Sequence, residues 1–162
     1  MHLERVAGDA VRRACEVAGC AMKLKRPPLA LAAHRFELVV PGLSDAEIEV
    51  NGPSVGLSAA VAFASHWLET PIPGDVACTA GIGPRGHLQG VGGVQAKCTG
   101  LARRASGQLR LFLAEANAAE VTAESVESRS HAVLPEVLDA LGFDLAQTRP
   151  NEERSNADKR RC

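Results

Sequence analysis

The chain has 162 residues, 46% of them hydrophobic, and its 18 basic and 19 acidic side chains leave a net charge of −1. One domain of this length buries about 70% of the surface that its unfolded chain exposes, which allows a sizeable single core. Balanced charge and an aromatic content of only 3% provide neither a basic face nor a stacking platform, so nucleic acid is not an expected partner.

Cysteine, histidine and hydropathy patterns narrow the class of protein further. The five cysteines form no C-x-x-C pair, which predicts free thiols in a reducing compartment. The five histidines are widely scattered, so we expect no metal site. No apolar run reaches the roughly 18 residues of a membrane span, and the N-terminus at Met1–Arg5 lacks a signal-peptide core. These features predict a cytoplasmic chain that does not enter a membrane.

Periodicity in the first third of the chain predicts a long helix and then a hairpin. The helix covers about Leu3–Met22, with apolar positions on one face and charged side chains on the other. Strands are then predicted over Leu29–His34, over Phe36–Val40 and up to Val50. Alternatively, the first two stretches form one longer strand. The hairpin leads the chain to a turn at Gly52-Pro53.

The middle of the chain predicts two helices separated by strands. The predicted elements are an alanine-rich helix over Val55–Leu68, strands near Asp75–Ala80 and His87–Val91, and a helix over about Val94–Ala105. The intervening Gly81–Gly86 matches the G-x-G-x-x-G pattern of dinucleotide-binding turns. That site needs a helix directly after the glycines, so the strand that follows makes a β-turn the better prediction.

The last third predicts a short strand, two helices and a tail. These elements are a strand over Leu109–Leu113, a helix over Ala114–Thr122 and a helix over Leu134–Leu141 closed by Gly142. From Thr148 to Cys162 the chain is polar, charged and without periodicity, which predicts a disordered tail. The whole pattern predicts one α/β domain over residues 1–147, with small mixed sheets covered by helices, and a tail over residues 148–162.

Ser54 is a candidate nucleophile because of the turn that precedes it. Proline fixes its own φ and biases the residue before it away from the helical region, so Ser54 is predicted at or just before the start of an apolar helix. Backbone N–H groups at that point lack intrahelical partners and could hold an oxyanion beside the serine oxygen. The alternative is that Ser54 is an ordinary helix N-cap.

Lys97 is a candidate base because the predicted helix places it on an apolar face, three residues after Val94 and four before Leu101. Partial burial disfavours the ammonium and favours a free amine that can accept a proton. A serine hydroxyl needs such a base, since it is a poor nucleophile at neutral pH. The alternative is that the aliphatic stem of Lys97 lies along the apolar face while its charged end reaches water.

The spacing Gly52-x-Ser54-x-Gly56 also satisfies the nucleophile-elbow pattern of α/β-hydrolases. That fold needs a buried strand before the serine, and an acid and then a histidine after it. The residues before Ser54 alternate like a half-exposed strand, and His131 is the only histidine far downstream. The elbow is therefore the weaker alternative.

Ser54 and Lys97 belong to a longer pattern. Its parts are Gly52-Pro53-Ser54-Val55-Gly56, Asp75-Val76-Ala77-Cys78-Thr79 in the following strand, Arg85-Gly86 in the next turn, and Gly92-Gly93 ahead of Lys97. With these motifs and this spacing the chain resembles the proteolytic, C-terminal domain of the Lon family of serine peptidases. The similarity covers most of the chain, from Glu4–Met22 to Leu109–Leu141.

This resemblance implies a fold related to the second domain of small-subunit ribosomal protein five. It implies a catalytic dyad of Ser54 and Lys97, with Asn51 and Gly52 as supporting residues beside the nucleophile. Thr79 would hydrogen-bond the lysine amine, although it is equally compatible with an ordinary strand residue. The resemblance further implies a ring-shaped homo-oligomer and a polypeptide substrate delivered by an ATPase.

The chain departs from the family pattern at three points. Lon domains usually have aspartate at the position of Asn51, and Thr-Gly-Glu where this chain has Thr79-Ala80-Gly81. The chain also begins at its first predicted helix, without the β-hairpin that precedes it in the family. Since it contains no G-x-x-x-x-G-K-[ST] motif, we expect no cofactor in this chain and ATP only through a separate partner.

Three functions are compatible with these features. The first is a serine endopeptidase that hydrolyses peptide bonds with Ser54 as nucleophile and Lys97 as base. The second is a non-catalytic Lon-like module for assembly or interaction, which Asn51 and the Ala80-Gly81 pair favour and which the retained Ser54-Lys97 spacing argues against. The third is a Ser-Lys amidase or esterase for small substrates.

Overall fold

The computed structural model describes residues 2–3, 5–22, 49–50, 52–104, 107–122 and 124–145. Its helices are α1 (Arg5–Ala21), α2 (Gly56–Leu68), α3 (Val94–Arg104) and α4 (Leu134–Ala140). Its strands are β1 (His2–Leu3), β2 (Glu49–Val50), β3 (Val76–Thr79), β4 (Gly81–Ile82), β5 (Leu88–Gln89), β6 (Leu109–Ala114) and β7 (Val126–His131). Short 3₁₀ helices cover Pro53–Val55, Pro84–Gly86 and Glu115–Glu120. None of the helices in these ranges is long and apolar enough to cross a membrane.

Three sets of predictions lie outside the described residues. They are the strands predicted between residues 29 and 40, the supporting residue Asn51, and the tail from residue 148. Of the predicted hairpin, only the end of its last strand is described, as β2. The division of the chain into a domain and a tail therefore stays a prediction.

A three-stranded parallel sheet forms the centre of the domain, in the order β3-β6-β7. Parallel neighbours need a crossover connection rather than a hairpin, and α3 lies in the connection from β3 to β6. The remaining strands form two small pairs, β1 with β2 in parallel and β4 with β5 antiparallel. This combination of helices with small sheets confirms the predicted α/β class.

Strand β6 is buried on both faces and separates two clusters of apolar side chains. Successive side chains point to opposite faces, so Phe112 and Ala114 join one cluster while Leu111 and Leu113 join the other. The larger cluster packs α1, α2 and α4 on the first face. The smaller cluster packs α3 on the second face. Burial on both sides explains why β6 is almost entirely apolar instead of alternating.

The structure corrects three predicted elements. Leu3 does not belong to the first helix, because it pairs with Val50 in the small parallel sheet and α1 begins two residues later. The predicted helix over Ala114–Thr122 is wrong, since β6 extends into it and a 3₁₀ helix follows. Strand β7 has no predicted counterpart, because only Val126 at its start is buried and its centre is polar.

Two predicted turns are confirmed. The glycine-rich segment joins β4 to β5 through the 3₁₀ helix Pro84–Gly86. It therefore does not open the helix that a dinucleotide site requires. Gly142 follows α4 with a φ of 80°, in the left-handed region that glycine adopts without strain.

The four cysteines within the described ranges are free, as the sequence predicts. They are Cys15, Cys20, Cys78 and Cys98. Burial raises the pKa of the Cys15 and Cys78 thiols to about 12. Because the thiolate is the reactive form of cysteine, these two thiols are poor nucleophiles at neutral pH.

Candidate active site

Ser54 lies in the 3₁₀ helix Pro53–Val55, which leads directly into α2. The preceding Gly52 has φ 81° and ψ 177°, a conformation that is accessible almost only to glycine. The N-cap position of α2 is Val55 and no side chain caps it, so the N-cap interpretation of Ser54 is wrong. The half-buried serine is thus presented by the Gly52-Pro53 turn and not by a capping hydrogen bond.

Gly52→Ala is expected to lower the free energy of unfolding by about 1–3 kcal/mol, because a Cβ is strained at this φ and ψ. The cost comes from the backbone and not from a clash, since a Cβ at Gly52 would have no heavy atom within 4 Å. Urea denaturation measures the change. The matched control is Gly74→Ala, where the space is equally open and no positive φ is involved. Equal losses in the two variants would contradict the argument from strain.

The start of α2 is tied to the segment at the end of β3. The Leu57 N–H donates to the Ala80 carbonyl at 3.0 Å, and the Ser58 hydroxyl donates to the Cys78 carbonyl at 2.8 Å. Gly56 allows this close approach, because a Cβ there would lie only 3.3 Å from the Ile82 backbone nitrogen and 3.4 Å from the Ala80 oxygen. Ser54 is therefore held at a defined position relative to β3.

These contacts limit which backbone groups can face an oxyanion. The Gly56 N–H donates to the Pro53 carbonyl, and the Leu57 N–H is taken by the contact with the end of β3. The first two donors of α2 are therefore already used. Ahead of α2, the 3₁₀ helix Pro53–Val55 uses the Val55 N–H for its own bond to the Gly52 carbonyl, which leaves the Ser54 N–H as the candidate for that role.

Lys97 projects from α3 towards the end of β3. Its neighbours Val94 and Cys98 are buried in the smaller core cluster, which fixes the orientation of the helix. The Lys97 amine donates to the Thr79 hydroxyl at 3.2 Å and to the Gly92 carbonyl at 3.2 Å. The charged end is thus held by two acceptors and does not simply extend into water.

Burial lowers the pKa of the Lys97 amine from its ordinary value, and the thiolate form of Cys98 and the carboxylate of Glu120 would act in the opposite direction. The lowered pKa increases the fraction of neutral amine at a given pH. This is the change that a lysine needs in order to act as a base.

A cavity of about 490 Å³ brings three of the predicted site residues together. Ser54, Thr79 and Lys97 all line it, and its other lining residues are small or apolar: Val55, Ala77, Cys78, Gly100, Leu101 and Leu111. Among the residues that the structure describes, no hydrogen bond joins the Ser54 hydroxyl directly to the Lys97 amine. Gly52 lies two residues from the serine, in the turn that presents it.

The histidine of the nucleophile-elbow alternative does not reach this cavity. His131 stacks on Phe112 with ring centroids 5.8 Å apart, and its Nδ1 lies 3.8 Å from a Glu136 carboxylate oxygen. It is not among the residues that line the cavity beside Ser54. The elbow interpretation is therefore not supported.

Comparison with known proteins decides the family. The family model for the Lon protease (S16) C-terminal proteolytic domain matches residues 8–137, which include Ser54, Thr79 and Lys97. The chain belongs to the Lon proteolytic-domain family. The resemblance predicted from the sequence motifs is thus confirmed, and membership in this Lon family supports a protease role.

A relative with a known name shows how similar the chain is to a Lon protease and how much of that protease it covers. The Lon protease of Clostridioides difficile (strain 630) is 30% identical to this Lon-family chain over 117 residues. The aligned region is 70% of this chain and 14% of that relative. The chain therefore spans only a small part of the length of the Lon protease that it matches.

Sequence reasoning missed two groups, one bonded to the Lys97 amine and the other bonded to the residue before Gly92. One is the Gly92 carbonyl, which accepts a hydrogen bond from the amine. The other is the side chain of Asn117, which is buried and bonded to the backbone of Val91. A backbone carbonyl leaves no signal in a sequence, and Asn117 falls in a segment that was predicted to be an ordinary helix.

Proposed function

We propose that this Lon-type domain is a serine endopeptidase with a Ser54-Lys97 dyad. The observation that carries the proposal is the shared cavity, in which Ser54 and a lysine amine held by Thr79 line the same space. The lowered pKa of the amine supports a role as base. Thr79 would orient the amine through its hydroxyl.

The proposed reaction has two halves. In the first, the Ser54 oxygen bonds to the carbonyl carbon of a peptide while its proton passes to the neutral Lys97 amine. The N–H group of Ser54 stabilises the oxyanion. The intermediate then breaks its C–N bond, and Lys97 returns the proton to the leaving amine. An ester between Ser54 and the acyl fragment remains.

In the second half, water hydrolyses this ester. Lys97 takes a proton from the attacking water, whose oxygen bonds to the acyl carbon. The bond to the serine oxygen then breaks, and the proton restores the Ser54 hydroxyl. The products are a free carboxyl and the original enzyme. None of these steps requires a cofactor.

The absence of a direct Ser54–Lys97 hydrogen bond in the described structure is compatible with this mechanism. Catalytic hydrogen bonds are often long in free enzymes and shorten when substrate binds. The two groups already line one cavity. A rotation of the Ser54 side chain towards the Lys97 amine, in contact with a bound peptide, would complete the dyad.

The partners of the domain are part of the same proposal. A polypeptide substrate, a ring of identical subunits and an ATPase that unfolds the substrate all follow from the Lon resemblance. A reducing, cytoplasmic location is supported by the free thiols. Sedimentation over a concentration series tests the ring: a strict monomer at every concentration would contradict it.

Cleavage of unfolded casein, together with labelling by a serine-reactive fluorophosphonate, tests the proposed activity. We expect fragments to accumulate in proportion to chain concentration, and the label to map to Ser54 by mass spectrometry. Cleavage of a small ester or amide without casein cleavage would support the Ser-Lys amidase or esterase. Neither cleavage nor labelling at any concentration would favour a non-catalytic module.

A further inference from the structure

The segment that supplies the Gly92 carbonyl to Lys97 is held by a buried side chain beyond the cavity. Asn117, in the 3₁₀ helix Glu115–Glu120, is only 4% exposed. Its Oδ1 accepts from the Val91 N–H at 2.9 Å, and its Nδ2 donates to the Val91 carbonyl at 3.0 Å. The side chain thus pairs with both backbone groups of Val91, as a neighbouring strand would.

The residues after Val91 contact both ends of the lysine. The Gly92 carbonyl accepts from the Lys97 amine at 3.2 Å, and the Gly93 carbonyl accepts from the Lys97 backbone N–H at 3.1 Å. Any displacement of Val91 therefore moves two acceptors of the same lysine. Asn117 contacts Val91, and the two residues after Val91 contact Lys97. These contacts link two segments that are distant in the sequence.

We propose that Asn117 is a positioning residue, whose buried carboxamide holds Val91–Gly93 so that the Gly92 carbonyl and the Thr79 hydroxyl together aim the Lys97 amine into the cavity. The proposal rests on the proposed function, in which that amine is the base. Nδ2 also donates to the Glu120 carboxylate. This bond fixes which side of the carboxamide carries the nitrogen.

Loss of the Asn117 carboxamide is expected to raise the pKa of the Lys97 amine. The groups that act on Lys97 are Cys98 on its own helix and Glu120 on the 3₁₀ helix, with the Cys78 thiol of β3 lining the same cavity. A released Val91–Gly93 segment would admit water, which relieves the burial that lowers the pKa of Lys97. Glu120, freed from Asn117, would raise that pKa further.

Asn117→Ala tests the proposal. We expect kcat for peptide cleavage to fall on the order of tenfold to a hundredfold with KM nearly unchanged, because the base is misplaced while the substrate cavity remains. The pH–rate profile should move to higher pH. A ¹³C NMR titration of the Lys97 side chain should show the same rise in pKa. Val137→Ala, a buried truncation on α4 in the larger cluster, should leave kcat, the pH–rate profile and the pKa of Lys97 unchanged.

A second variant keeps the test decisive if Asn117→Ala does not fold. Gly90→Val acts on the same contact from the other side, because a Cβ at Gly90 would lie 3.2 Å from the Ala116 Cβ and 3.4 Å from the Asn117 Oδ1, so that the valine side chain crowds the 3₁₀ helix that carries Asn117. It should shift the Lys97 titration in the same direction. An unchanged titration in a folded variant would overturn the positioning role. Absence of cleavage by the wild type would overturn the proposed function, while the titration would still decide the role of Asn117.

Discussion

Ser54→Ala is expected to reduce cleavage of an unfolded protein to background, a loss on the order of 10⁴-fold or more, because the proposed acyl intermediate forms on the Ser54 oxygen. The free energy of unfolding should change by less than about 0.5 kcal/mol, since the Ser54 side chain caps no helix. Casein cleavage followed by gel electrophoresis and urea denaturation measure the two quantities on the same preparation.

Ser65→Ala is the matched control, on the same α2 helix but at its far end. The Ser65 hydroxyl donates to the Thr70 carbonyl at 2.7 Å. Its removal should cost about 1 kcal/mol of stability and leave cleavage intact. Ser54→Ala should therefore lose activity and keep its stability, whereas Ser65→Ala should keep activity and lose stability. Substantial cleavage by Ser54→Ala would show that the nucleophile is another group.

Lys97→Arg is expected to lower cleavage by about 10²–10⁴-fold, the usual contribution of a general base, because a guanidinium keeps its proton at every pH of the assay. In the wild type, activity should rise with pH through the pKa of Lys97, since the neutral amine is the active form. Burial lowers that pKa from its ordinary value, so the rise should come below pH 10.5.

Initial rates over a pH series measure this effect, and circular dichroism checks that the variant is folded. Arg103→Ala is the control, because Arg103 is an exposed cation on the same α3 helix. It should preserve both the rate and the pH profile. Retention of wild-type activity by Lys97→Arg would contradict the proposed mechanism, whatever the result for Ser54.

The sequence by itself determined those features of the candidate site whose signals are local. A helical spacing of 3.6 residues placed Lys97 on the inner face of α3, and the restrictions of Gly52-Pro53 placed Ser54 ahead of α2. Neither signal depends on the rest of the fold. The motifs around these two residues also predicted the family that the comparison shows.

Only the tertiary structure decided the contacts between distant segments. The polar strand β7 forms because the backbone of β6 offers it a full row of hydrogen-bond partners, and a backbone edge has no sequence signature. The bond that the Val91 N–H donates to Asn117 and the bond that the Lys97 amine donates to the Gly92 carbonyl likewise join a side chain to a backbone group. Such bonds have no periodicity, so only the folded chain shows which side chain meets which carbonyl.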